Sequence, residues 1–134
     1  MNYLNEFLEL EDNDSKYEYL ISLAKSNPNL NSKYKNSENL IRECQNKVWL
    51  IAGFDETNKL FINYESESRL VGGILFLIKE KLENKSKSEV LKIIHNSPTW
   101  LEEIFPKELI SIGKQRGVRA FLTRIKEKLG EVEN

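Results

Sequence analysis

The stretch NLIRECQNKVWLIAG, residues 39 to 53, holds the only cysteine of the chain, Cys44, at the mouth of an apolar run. As a thiolate, a cysteine is a nucleophile; as a protonated side chain packed in a core, it is a small hydrophobe. Its neighbours Arg42, Glu43, Gln45, Asn46 and Lys47 form a polar break between apolar segments, which places the thiol at a loop or strand end within reach of a partner. Arg42 and Lys47 would favour the thiolate and Glu43 would oppose it, so charge alone leaves both readings of Cys44 open. His95 is the only histidine and stands beside Asn96 at the end of a short helical pattern. A Cys44–His95 nucleophile pair is conceivable, but a solvated histidine at a helix end is the simpler reading. One cysteine and one histidine make no soft-ligand metal cluster. Gly72-Gly73 lies within an apolar helical pattern and matches no phosphate-binding loop.

The composition narrows the remaining chemistry. Lys and Arg total 20 against 21 for Asp and Glu, a formal charge of -1, so no net basic field draws the chain to nucleic acid. The run Lys114, Arg116, Arg119, Arg124, Lys126 and Lys128 reads as the solvated face of the last helix, with docking of an acidic partner as the second reading. The most apolar window, LVGGILFLI at 70 to 78, is far short of the roughly 20 residues of a spanning helix, so no membrane role is expected. A lone cysteine forms no internal disulfide and the opening residues lack leader character, which makes the cytoplasm the default compartment. At 134 residues the chain, 1–134, is expected to form one domain with a real core.

The elements that must position Cys44 follow from periodicity. Tyr3, Phe7 and Leu10 predict a short opening helix, ending at Asp12-Asn13-Asp14. Tyr17, Leu20, Ile21 and Ala24 predict a second, capped by Asp14 or Ser15 and stopped at Asn27-Pro28. Residues 29 to 38 read as a loop, and Leu40-Ile41 as the start of a short strand running toward Cys44. Val48 to Phe54, apolar on both alternating faces, reads as a strand covered on both sides; DETN at 55 to 58 turns the chain into a second strand over 59 to 65. Ser66 or Ser68 would cap a long central helix, whose Gly72-Gly73 pair predicts a close approach to the sheet. Ser88 would cap the next helix, Ser97-Pro98-Thr99 would break it, and Pro106 would break the chain again. Val118, Phe121, Leu122, Ile125 and Leu129 mark a last amphipathic helix closed by Gly130 and an acidic tail. Helices, a hairpin, then helices is an α+β order with a small antiparallel sheet of about three strands.

Four segments, in order, resemble the SufE family of sulfur-acceptor proteins. Ile41-x-x-Cys44-Gln45-x-x-Val48-Trp49-Leu50 is similar to the family's stretch around its acceptor cysteine. KYEYLISLAKSNPNL resembles the segment ahead of the cysteine loop, ESESRLVGGILFLI the acidic-Ser-acidic helix entry followed by Val-x-Gly, and LISIGKQRGVRAFLTRIKEK the closing segment with Gly117 in register. Glu43 stands where the family usually has glycine, Asn46 where it has serine, and Ser111-Ile112-Gly113-Lys114 matches its Ser-Pro-Ser-Arg with lysine for arginine. The resemblance implies a small sheet with helices packed on it, shared with the IscU-like scaffold proteins of cluster assembly, and an acceptor cysteine on a loop at the sheet's end. It further implies that Cys44 takes persulfide sulfur from a SufS-like cysteine desulfurase, whose pyridoxal phosphate stays in the partner, and passes it to a SufBCD-like iron–sulfur scaffold. This chain would bind no cofactor itself. Glu43 and Gln45 on the loop, with Glu65, Glu67, Lys114 and Arg119, are then the candidate partner-binding residues. The alternative from a different class is a non-catalytic adaptor of a desulfurase or another enzyme, with Cys44 structural.

Overall fold

The computed structural model describes residues 2–105 and 110–130. Helix α1 (Tyr3–Glu9) is followed by α2 (Asn13–Ser26), a 3-10 turn (Ser32–Tyr34), the hairpin β1 (Val48–Phe54) and β2 (Leu60–Ser66), and then α3 (Arg69–Leu82), α4 (Lys87–His95), α5 (Ser97–Ile104) and α6 (Ile112–Lys128). The α+β order is as expected, and the differences lie at element ends. Asp12, not Asp14 or Ser15, caps α2 by accepting from the Ser15 amide at 2.7 Å. Ser86, not Ser88, caps α4, because Glu89 three residues on returns a bond to the Ser86 amide and completes a capping box. Ser97-Pro98-Thr99 starts α5 instead of breaking the chain, since a proline in a helix's first turn gives up an amide with no intrahelical partner. The expected break at Pro106 and the acidic tail fall outside the described residues.

β1 and β2 pair antiparallel from Val48↔Ser66 to Phe54↔Leu60. The carboxylate of Asp55 accepts from the Thr57 and Lys59 amides and Asn58 takes φ 60°, which closes the turn. The third strand does not form: Leu40 makes a single bridge to Trp49, and the chain then leaves the edge of β1 in turns. Only the Ile41 amide to Val48 and the Leu50 amide to Asn39 join the two segments, because the polar residues 42–47 have no face to bury.

α3 is buried almost all round, and one hydrophobic cluster joins it to the inward face of the hairpin and to the other helices. The outward face carries Trp49, 8% exposed, beneath the 29–38 segment, whose Lys35 ammonium sits 4.9 Å from its ring centre. The two glycines of α3 have a helical neighbour as their main reason. A Cβ at Gly73 would collide with the Leu20 backbone of α2, with the Leu20 carbonyl carbon only 2.6 Å away. At Gly72 a Cβ would meet Ala24 at 3.4 Å and Ser66 of the sheet at 3.7 Å. The close approach is thus of α2 onto α3 more than of the sheet. Buried Tyr64 stacks edge-on against Phe121 of α6 and donates its hydroxyl to the Gly72 carbonyl at 2.6 Å, so its one polar atom is satisfied in the core.

Candidate functional site

Cys44 lies midway along the turn segment that connects the Leu40 bridge to β1, and the side chain is half-buried. The segment is fixed at both ends. At its start, Arg124 of α6 donates to the Leu40 carbonyl at 3.2 Å. At its exit, the Glu67 amide donates to the Lys47 carbonyl at 2.9 Å and the Lys47 amide to the Glu67 carboxylate at 3.4 Å. Between these points the loop rests on two glycines of α6. A Cβ at Gly117 would overlap the sulfur of Cys44 and stand 2.7 Å from its Cβ; one at Gly113 would stand 2.5 Å from the Gln45 amide group. Spaced four apart, Gly113 and Gly117 share one face of α6, and Arg124, seven beyond Gly117, continues the stripe. A bare helical strip is what admits the thiol loop.

The electrostatics of the thiol are mixed. Burial pushes the Cys44 thiol above its ordinary range, opposed by the Asn46 amide, the Lys114 ammonium and the Gln45 amide, all of which favour the thiolate. Lys114 is held in place by donating to Asn46 Oδ1 at 3.3 Å and to Ser68 Oγ at 3.5 Å, while Ser68 caps α3 by accepting from the Val71 amide. Gln45 accepts from the Ser111 hydroxyl at 3.3 Å, and Ser111 in turn caps α6. The caps of two helices therefore double as anchors of the thiol loop.

Gln45, Lys114 and Glu67 are brought to the Cys44 loop, and Glu43 lies exposed on it. Position 43 has no positive φ, so the loop does not require glycine there. Glu65 faces elsewhere: opposite Trp49, it accepts from the Leu30 amide and the Lys35 ammonium, both at 2.9 Å, and fastens the 29–38 segment over the sheet. Arg119 stands about 200° round α6 from Gly117, away from the thiol, and pairs with Glu102 at 2.8 Å. On that same far side, Arg119, Leu122, Thr123 and Lys126 line a groove with His95, which separates the histidine from Cys44 by the width of the helix. Among the described residues no group of three or more His, Cys, Asp or Glu side chains could hold a metal ion. Nor is any described helix long and apolar enough to cross a membrane.

Asn46, Gly113, Ser68, Ser111 and Arg124 were not among the sequence candidates for the site. For Ser111 and Gly113 the signals are the match of Ser111 to Lys114 to the family and the glycine spacing of four in GKQRG, which marks a helical face without side chains. Arg124 reads as one more charge on a solvated face until the Leu40 carbonyl is seen beneath it.

The fold and site define an α+β domain that presents one thiol on a loop clamped between two helix N-termini. The SufE family model, described as an Fe-S metabolism associated domain, matches residues 1–129, and the chain belongs to this family. It is 31% identical over 117 residues to the sulfur acceptor protein CsdE of Escherichia coli strain K12, covering 87% of this chain and 78% of that one. Over 91 residues it is 30% identical to the cysteine desulfuration protein SufE of Wigglesworthia glossinidia brevipalpis, covering 68% of this chain and 63% of that one. The solution structure of a hypothetical protein from Thermus thermophilus has the same fold, with a TM-score of 0.74, 18% identity, and coverage of 96% of this chain and 90% of that one.

Proposed function

We propose that the protein is a sulfur acceptor that works with a cysteine desulfurase and carries persulfide sulfur on Cys44. The observation that carries this reading is the seat of the thiol: a lone cysteine on a loop, against glycine, where burial raises the thiol pKa and two backbone amides and the Lys114 ammonium oppose that rise. The names of the relatives, a sulfur acceptor and a cysteine desulfuration protein, support it.

In the transfer, the Cys44 thiolate attacks the terminal sulfur of the desulfurase persulfide. A sulfur–sulfur bond forms on Cys44, the bond within the donor persulfide breaks, and the donor cysteine leaves as a thiolate. No oxidant is needed, because the transferred sulfur keeps its oxidation level. Carriage suits a chain with one cysteine, since a second nearby thiol would discharge the persulfide as a disulfide. Sulfur then passes from Cys44 to a SufBCD-like scaffold for iron–sulfur assembly. The pyridoxal phosphate that liberates the sulfur belongs to the desulfurase, and this chain contributes only the thiol and its setting.

The half-burial of Cys44 favours a second reading, an adaptor that stimulates the desulfurase with Cys44 as packing. Intact-mass analysis after incubation with a desulfurase and free cysteine separates the two. Gain of one sulfur, lost on reduction and absent in Cys44→Ser, is the expected result; full stimulation by Cys44→Ser with no adduct on the native chain would contradict it.

A further inference from the structure

Beside the junction of α2, α3 and β2 lies a polar pocket of about 220 Å³, lined by Lys25, Asn27, Asn29, Ser66 and Arg69 with Gly72 and the Glu65 carboxylate. Lys25 comes from the last turn of α2 and Arg69 is the first residue of α3. No hydrogen bond or ion pair within the described residues engages either cation. The one carboxylate in the lining, Glu65, is committed to the Leu30 amide and the Lys35 ammonium. Cations at the start of a helix are unfavourable, because the helix dipole places partial positive charge there, and the first turn of α3 contains no acid to offset Arg69. Two exposed cations from separate elements, neither in an ion pair among the described residues, thus border one polar concavity with the Asn29 side chain beside them. The volume accommodates a small oxyanion and several waters at about 30 Å³ each.

We propose that this pocket binds a small oxyanion of the phosphate or carboxylate class, with Lys25 and Arg69 as its charged ligands and Asn29 as a neutral donor. The anion supplies a counter-charge to Arg69, which the first turn of α3 lacks, so its binding stabilises the start of α3. The site is separate from the thiol and its occupation does not require Cys44.

The test titrates the isotope-labelled full-length protein with sodium phosphate and, separately, sodium acetate, followed by amide chemical shifts, with sodium chloride at matched ionic strength as the reference. Saturating shifts at Lys25, Ser66, Arg69 and Gly72 with phosphate or acetate but not chloride are expected, and the better of the two probes identifies the class of oxyanion. Lys25→Gln and Arg69→Gln should each weaken the affinity at least threefold, and together at least tenfold. Shifts that never saturate, or that match those of chloride, or that survive both substitutions, overturn the proposal. Thermal melting supplies a second readout: Arg69→Gln should melt at or above the native protein in chloride and below it in the saturating oxyanion. Melting lower by the same amount in both salts would make Arg69 a structural residue and would also overturn the proposal.

Discussion

Gly117→Ala adds one methyl group where the Cys44 loop meets α6. The substitution brings two opposed effects. Alanine in place of glycine in a helix interior stabilises by roughly 1 kcal/mol. The new Cβ, however, would overlap the Cys44 sulfur and lie 2.9 Å from the Cys44 Cα, so either the helix or the loop must move. Inserting a methyl into a packed contact costs about 1–3 kcal/mol, which leaves a net destabilisation of about 0–2 kcal/mol. For a chain of this length that is a fall in Tm of roughly 3–5 °C per kcal/mol. The loop is the softer partner, since it is held by a few side-chain bonds while α6 is fastened through buried Val118, Phe121, Leu122 and Ile125. Lifting the loop re-solvates the thiol and removes the main cause of its raised pKa, so alkylation by iodoacetamide at neutral pH should become faster. Urea unfolding and alkylation rates, measured on the same samples, check both effects. A variant that is about 1 kcal/mol more stable than the native protein and alkylates at the native rate would show that the loop does not rest on Gly117.

Other consequences follow from the same contacts. Gly73→Ala should cost more than Gly117→Ala, because its Cβ meets the backbone of α2 and not a loop, whereas Gly72→Ala, in ordinary contact with Ala24 and Ser66, should be neutral or slightly stabilising by urea unfolding. Burial raises the Cys44 pKa in the folded state, so the protonated thiol contributes stability that is complete below the unfolded thiol pKa of about 8.5 and is lost as pH rises through the higher folded value; Cys44→Ala should remove that alkaline slope from denaturant titrations. The alkylation profile should accordingly have its midpoint above that of a free thiol, and Lys114→Ala should move it further up while Lys114→Arg should not. Ser68→Ala removes the cap of α3 and a contact of Lys114, and should cost about 1 kcal/mol in urea unfolding.

Much of the scaffold is legible in the sequence because its elements are strongly periodic: the β1–β2 hairpin, the apolar central helix and the α6 stripe from Val118 to Leu129 all form where their patterns fall. The local errors have physical causes. Leu40 and Ile41 look like a strand by residue type, but a strand needs a continuing face, and Arg42 to Lys47 supply none. The sequence holds one thiol, Cys44, and the resemblance to the family rests on segments spread along the chain. What stays hidden is the seat itself. Gly113 and Gly117 are 69 and 73 positions beyond Cys44, and their role depends on a loop crossing a helix that no local pattern encodes. The same holds for Glu65 and Arg119, whose charges suggest docking but which are engaged with Lys35 and Glu102.

Carriage of sulfur on Cys44 is read from the mass of the intact protein after incubation with a cysteine desulfurase and free cysteine, with the modified peptide then located. One added sulfur on Cys44 is expected, removed by a thiol reductant and absent in Cys44→Ser, together with loss of desulfurase stimulation in that variant. An unmodified Cys44, with Cys44→Ser stimulating the desulfurase as well as the native chain does, would contradict it.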